Sequence, residues 1–165
     1  MSFHLSLTAA LGATLLIATS SFAEDVPKTG VFNAKDTSTG SYRFFPVGDG
    51  GSHLSISEQT GKIEGEGLLN SMMSHCFGVG ETVKLVNETH GYCIDRDKDG
   101  DQIIFRTSFE KHPWNSAKMR GSGIAMLGTG KYEGIVASYI VACEASGPVT
   151  GYTMECDGQG SYMLP

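Results

Sequence analysis

Glycine cuts this chain into short pieces. Of its 22 glycines, 21 fall in residues 24–165, with runs such as "GDGG", "GEG", "GSG" and "GTG" spread along that stretch. Helices tolerate such spacing poorly, whereas hairpin turns ask for it. No stretch after Glu24 carries a sustained apolar stripe at i, i+3, i+4 and i+7. Short β-like segments lie between the glycines instead. They are 42–47, 53–60, 68–77, 83–94, 102–109, 116–127, 135–143 and 151–156, with "SYMLP" as a closing edge. They are rich in β-branched and aromatic residues and bounded by Gly, Asp, Asn or Pro. In "QIIFRTSF", Ile103, Phe105, Thr107 and Phe109 share one face. About eight such strands predict an all-β fold: a single antiparallel β-barrel, with a sandwich as the other arrangement. Closure into a barrel also removes sheet edges.

The first 23 residues stand apart. "LTAALGATLLIATSSFA" is apolar, small and short for a membrane span, and no Lys or Arg precedes Lys28. Ser21 and Ala23 are small residues where a signal peptidase reads. The expectation is a cleaved signal peptide over 1–23, a polar lead-in over 24–40 and a barrel over 41–165. The protein would then be exported, periplasmic or secreted. The 12 basic and 18 acidic residues give a formal charge of −6. Nucleic acid and anionic membranes need a basic surface, so neither is an expected partner. Membrane insertion is not expected either, while a homo-oligomer is compatible with the sequence.

The four cysteines, Cys76, Cys93, Cys143 and Cys156, suggest two disulfides in an oxidising compartment. Three pairings exist; Cys76–Cys93 and Cys143–Cys156 are favoured because each pair brackets a short hairpin-like segment. Zinc spacing is absent.

"CIDRDKDGDQI" places Asp95, Asp97, Asp99 and Asp101 at alternate positions. An EF-hand loop starting at Asp95 would put Arg106 where a bidentate Glu is required, and its flanks read as strands rather than helices. A hairpin turn using Gly100 is the preferred reading, and a weak calcium site is the alternative.

"GSGIAMLGTGKYEGIVAS" (121–138) resembles the glycine-rich strand-turn-strand of allene-oxide-cyclase-like and dirigent-like β-barrels. "THGYCIDRDKDGDQI" looks like the Cys-plus-Asp/Gly hairpin of their small exported bacterial members. The resemblance spans about residues 54–164. It implies eight antiparallel strands around an apolar cavity that takes a hydrophobic or phenolic molecule, with cyclisation or stereochemical control in some members. No catalytic residue of the family carries over to this chain. In the motif itself, Tyr132 would fold back on the barrel mouth. The P-loop pattern is absent, and no cofactor is expected.

If Cys76 and Cys93 bridge neighbouring strands, Met73, His75 and Phe77 lie with His90, Tyr92 and Ile94 on the face opposite the sulfurs. That set is apolar with polar handles, the composition of a ligand cavity. His75 and His90 are candidate proton-transfer groups, against a plain structural role. Glu66 and Glu133 would serve only if buried in an apolar site; solvated turn positions are the ordinary alternative. Trp114, in "KHPWNS", could cap a cavity or anchor a loop. Met72, Met73, Met119 and Met126 could line a pocket or fill a core. Asn87 begins a glycosylation pattern, relevant only in a eukaryotic secretory pathway. No G-x-S-x-G elbow exists, which makes a hydrolase the weakest class. Three functions follow: a carrier of a small hydrophobic or aromatic molecule, an isomerase or cyclase using the same cavity, or a structural module without a ligand.

Overall fold

The computed structural model describes residues 26–48 and 50–165. The signal peptide expected over 1–23 lies outside the described residues. Eight strands run β1 (Thr29–Val47), β2 (Ser52–Glu66), β3 (Met72–Val83), β4 (Val86–Arg96), β5 (Gln102–Pro113), β6 (Lys118–Gly128), β7 (Val136–Ser146) and β8 (Tyr152–Met163). Each pairs antiparallel with its sequence neighbour, and β1 pairs with β8 to close the barrel. The all-β, eight-stranded antiparallel barrel expected from the sequence is therefore the fold.

The connections alternate between two ends. Loops 67–71, 97–101 and 129–135 lie at one end with the start of β1 and the end of β8; the other four loops lie at the opposite end. The first end is packed shut. Phe32, Ile63, Met72, Ile103 and Phe105 point inward from the strands. Leu68 and Leu69 from the β2–β3 loop, Tyr132 and Ile135 from the β6–β7 loop, and Leu164 fold over them as a plug. The other end is open.

Two boundaries differ from the sequence reading. β1 begins at Thr29, so residues 29–40 belong to the barrel wall and not to a lead-in. Beyond Val31 and the core residue Phe32, the outward side chains are polar (Asn33, Lys35, Thr37, Thr39), and the inward ones are small or polar (Ala34, Asp36, Ser38, Gly40). Such a strand shows no hydrophobic alternation. The segment 83–94 hides a two-residue turn at Lys84–Leu85, both at positive φ (49° and 66°). That turn type favours Asn-Gly, so its usual sequence signal is missing.

Both favoured disulfides are present, Cys76–Cys93 between β3 and β4 and Cys143–Cys156 between β7 and β8. Each joins residues that are direct partners in the ladder. Their sulfurs face into the barrel on opposite sides of its circumference. Room for large inward side chains comes from small partners. Tyr139 lies over Gly123 so closely that a Cβ there would collide with its ring.

Candidate functional site

The open end leads into a cavity of about 380 Å³ bounded by all eight strands. That is the size of a small-ligand pocket. Its wall is divided. β2 to β5 contribute Ser55, Ser57, Gln59, Thr82, Asn87, Thr89 and Thr107. The other half, from β6 round to β1, contributes Met119, Val141, Ala145, Met154, Tyr152, Tyr42 and Phe44. Aromatic rings form a ladder from the mouth inward. Trp114 meets His53 edge-on at 6.0 Å, and His53 meets Phe44 at 5.1 Å. Phe44 stacks with Tyr42 at 5.9 Å, and Tyr42 with Tyr152 at 4.5 Å.

The polar wall is pre-arranged. The His112 Nδ1–H donates to the Glu110 carbonyl (2.8 Å), which leaves Nε2 to accept from Asn87 Nδ2 (3.3 Å). Asn87 Nδ2 also donates to Thr89 (3.0 Å), and Thr82 donates to Asn87 Oδ1 (3.1 Å). The Tyr152 hydroxyl donates to Gln59 Oε1 at 2.8 Å.

Two carboxyls mark the floor. Asp36 faces both the main cavity and a smaller chamber of about 60 Å³ beneath it, which Asp95, Ser74 and Tyr139 also line. Burial raises the Asp36 pKa to about 6; the nearby Ser38 hydroxyl draws it down a little, although the two side chains do not meet in hydrogen-bonding geometry. Burial raises Asp95 to about 7; the Ser74 hydrogen bond (2.7 Å) draws it down and the charge of Asp36 pushes it up. Burial, then the charges of Asp95 and Asp36, push the Tyr139 hydroxyl above the usual phenol range. Asp36 Oδ1 and Ser38 Oγ are, among the described residues, buried polar atoms with no hydrogen-bond partner. Such atoms are costly to bury alone and are ready to take a donor.

The expected cavity residues are placed differently. Met73, His75, Phe77, His90 and Tyr92 all lie on the outer surface. His75 pairs there with Glu58 (2.8 Å) and packs on the Phe77 ring; His90 bonds Ser108 (3.1 Å). The face assignment is inverted because the sulfurs, not the aromatic residues, point inward. The inward positions of β3 are Met72, Ser74, Cys76, Gly78, Gly80 and Thr82, mostly small or polar, as a wall around a cavity can be. Glu66 and Glu133 are exposed and not cavity carboxyls. Tyr132 sits in the plug at the closed end and not at the mouth. Trp114 alone of the expected ligand contacts has its ring at the mouth. Of the methionines, Met119 lines the cavity, Met72 is in the core, and Met73 and Met126 are exposed.

The aspartate stretch forms the β4–β5 turn, with Gly100 at φ 94°. Asp95 points into the barrel, apart from the others. Asp97 Oδ1 accepts the backbone N–H groups of Asp99 (2.9 Å) and Asp101 (3.0 Å). Its Oδ2 accepts from Tyr132 (3.1 Å) and contacts Lys131 Nζ at 2.7 Å; the same ammonium bonds Asp99 Oδ2 at 2.9 Å. Gly130, at φ 53°, lets the β6–β7 loop come close enough to deliver that lysine. A tethered ammonium thus stands where a cation would bridge these carboxylates. Calorimetric titration of Ca²⁺ is expected to give no binding heat. Lys131→Met is expected to cost about 1–3 kcal/mol in urea unfolding, from charge-assisted bonds lost on a partly buried clamp. A micromolar calcium isotherm for the unaltered protein would refute the clamp.

Sequence reasoning missed Asp36 and Asp95 as floor groups, and Asn87 and His112 as a polar handle. The signal available was parity: once the sulfurs are set inward, alternation brings Asp95 and Asn87 to the same side as Cys93. Compared with known proteins, the sequence matches no family model and no curated relative.

Proposed function

We propose that the barrel binds one small molecule with an aromatic or hydrophobic body and a hydrogen-bond donor, held end-on in the cavity. The observation that carries this is the divided wall: rings mostly on one half, with His53 and Phe109 on the other, hydroxyls and amides concentrated on the β2–β5 half, and Asp36 with an unpaired Oδ1 at the floor. The ring ladder would take the apolar body, and the Asp36 carboxyl would take the donor. The resemblance to allene-oxide-cyclase-like and dirigent-like barrels points the same way. The two disulfides fit an exported protein. Lys35, Glu58, Lys62, Glu155 and Asp157 project outward from mid-strand, which suits water better than lipid. A homo-oligomer, if formed, would use the exposed outer strip of Ile56, Phe77, Val79, Tyr92 and Ile124.

The test uses N-phenyl-1-naphthylamine, an apolar aromatic amine with one N–H donor, read by its emission and by quenching of Trp114. Saturable binding near micromolar Kd is expected. Ser57→Trp, which fills the cavity from β2, should weaken it by ~100-fold or more, about 3 kcal/mol. Binding that persists unchanged in Ser57→Trp would place the probe elsewhere and remove the support.

A second reading, an isomerase or cyclase, is favoured by one observation: the floor carboxyls are buried, and their pKa values of about 6 and 7 suit proton transfer near neutrality. In that reading Asp36 and Asp95 take the part first given to His75, His90 and Glu66. Turnover of a bound ligand that is lost in Asp36→Asn, with binding retained, separates the enzyme from the carrier.

A further inference from the structure

The two disulfides share one barrel but not one environment. Cys143 and Cys156 are 5% and 7% exposed, and among the described residues neither sulfur contacts a hydroxyl or carboxyl through a hydrogen bond. Cys76 differs: the Ser74 Oγ lies 3.3 Å from its Sγ and 2.7 Å from Asp95 Oδ1. A disulfide sulfur cannot donate, so any hydrogen bond to Cys76 must come from Ser74. The serine has one proton. With Asp95 ionised, that proton points to the carboxylate. With Asp95 protonated, the acid donates to Ser74 Oγ and Ser74 is free to donate to sulfur. Cys93 lines both the main cavity and the chamber below it, as Cys156 of the other bridge does, so access is shared and the Ser74–Asp95 pair is what separates the two bridges.

We propose that Cys76–Cys93 is a redox-active disulfide that reacts with low-molecular-weight thiols entering the cavity, its leaving sulfur served by an Asp95–Ser74 proton relay. The thiolate of the small thiol attacks Cys93 Sγ, the S–S bond breaks, and the electron pair departs on Cys76 Sγ. Ser74 passes its proton to that sulfur and takes one from Asp95, which solvent then reprotonates. A second thiolate attacks the small-molecule sulfur of the mixed disulfide. Cys93 leaves as thiolate and is protonated by solvent. Two thiols are oxidised to one disulfide, and the protein bridge gains two electrons and two protons. None of this depends on which molecule the cavity binds in its main role.

The relay requires protonated Asp95, so it works below the pKa of about 7 that burial gives this group and fades above it. The titratable groups facing Asp95 from the other elements around it are Asp36 on β1 and Tyr139 on β7. Cys143–Cys156 is an internal standard, because any pH effect on the attacking thiol acts equally on both bridges.

The experiment is limited reduction with 2-mercaptoethanol, alkylation, and peptide mass spectrometry, read as the ratio of opening rates of the two bridges. At pH 6, Cys76–Cys93 should open at least ~10-fold faster, a modest share of the roughly 100-fold or more that a positioned general acid typically supplies. The ratio should fall as pH rises to 8.5. Ser74→Ala should bring it near one at pH 6, and Asp95→Asn should remove its pH dependence. A ratio near one in the unaltered protein overturns the proposal, as does a preference that survives Ser74→Ala. If Asp95→Asn does not fold, the Ser74→Ala ratio decides.

Discussion

Urea unfolding at pH 5 will show a protein more stable than at pH 8, the reverse of an ordinary acid-sensitive fold. Asp36 and Asp95 have folded pKa values of about 6 and 7, both raised chiefly by burial. In the unfolded chain each returns to the ordinary aspartate range. Between about pH 4 and 7 the folded state therefore holds protons that the unfolded state has released. The slope of stability with pH is negative in that window, up to about 1.4 kcal/mol per pH unit for each responding carboxyl. From pH 5 to 8 the pair should cost about 3–4 kcal/mol. Asp97 has the opposite sign. Burial opposes its ionisation, but Lys131, Tyr132 and the Asp99 N–H outweigh burial and lower its pKa. Its contribution is lost only as pH falls through that lowered value, so stability should turn down again in strong acid. Asp95→Asn should remove most of the slope and raise stability at pH 8. Equal midpoints and slopes at pH 5 and 8 would mean that the floor carboxyls are hydrated, and the reading of a dry, acidic cavity floor would fall.

This prediction draws on residues whose roles the sequence concealed, and the reason is physical. Strand count, antiparallel order and disulfide pairing depend on local punctuation: glycines, turn formers and cysteines near one another in the chain. These were legible. Which face points inward depends on closure. The rule that apolar residues go inside holds for a filled core, as Ile103 and Phe105 on β5 show. It fails on β3 and β4, where the interior is a cavity and the outward side chains include Phe77, Val79 and Tyr92. A shift of parity by one residue then exchanges wall for surface. Asp36 was hidden for a related reason, since its strand looks like a polar linker. The position of Trp114 at the edge of the cavity was legible because it sits in a loop, where strand parity does not apply.

Tyr132 and Trp114 should separate the fold from the site. Tyr132 is 3% exposed in the closed-end plug, within the core cluster that includes Leu68, Leu69 and Met72, with its hydroxyl on Asp97. Tyr132→Ala removes a buried aromatic and leaves a cavity, which should cost about 3–5 kcal/mol. The melting temperature should fall on the order of 10–20 °C. Probe affinity at the open end should change little while the protein remains folded, because the plug and the ring ladder lie at opposite ends of the strands. Trp114 is half exposed at the mouth and makes an edge contact with His53. Trp114→Ala should cost under about 1 kcal/mol of stability. It should weaken aromatic ligands by roughly 3–10-fold, the worth of one aromatic contact. With the Trp114 signal gone, the probe's own emission reports the affinity. If Tyr132→Ala instead abolishes binding with stability intact, ligands enter through the end taken here to be closed. The ladder from Trp114 to Tyr152 would then be packing and not a path.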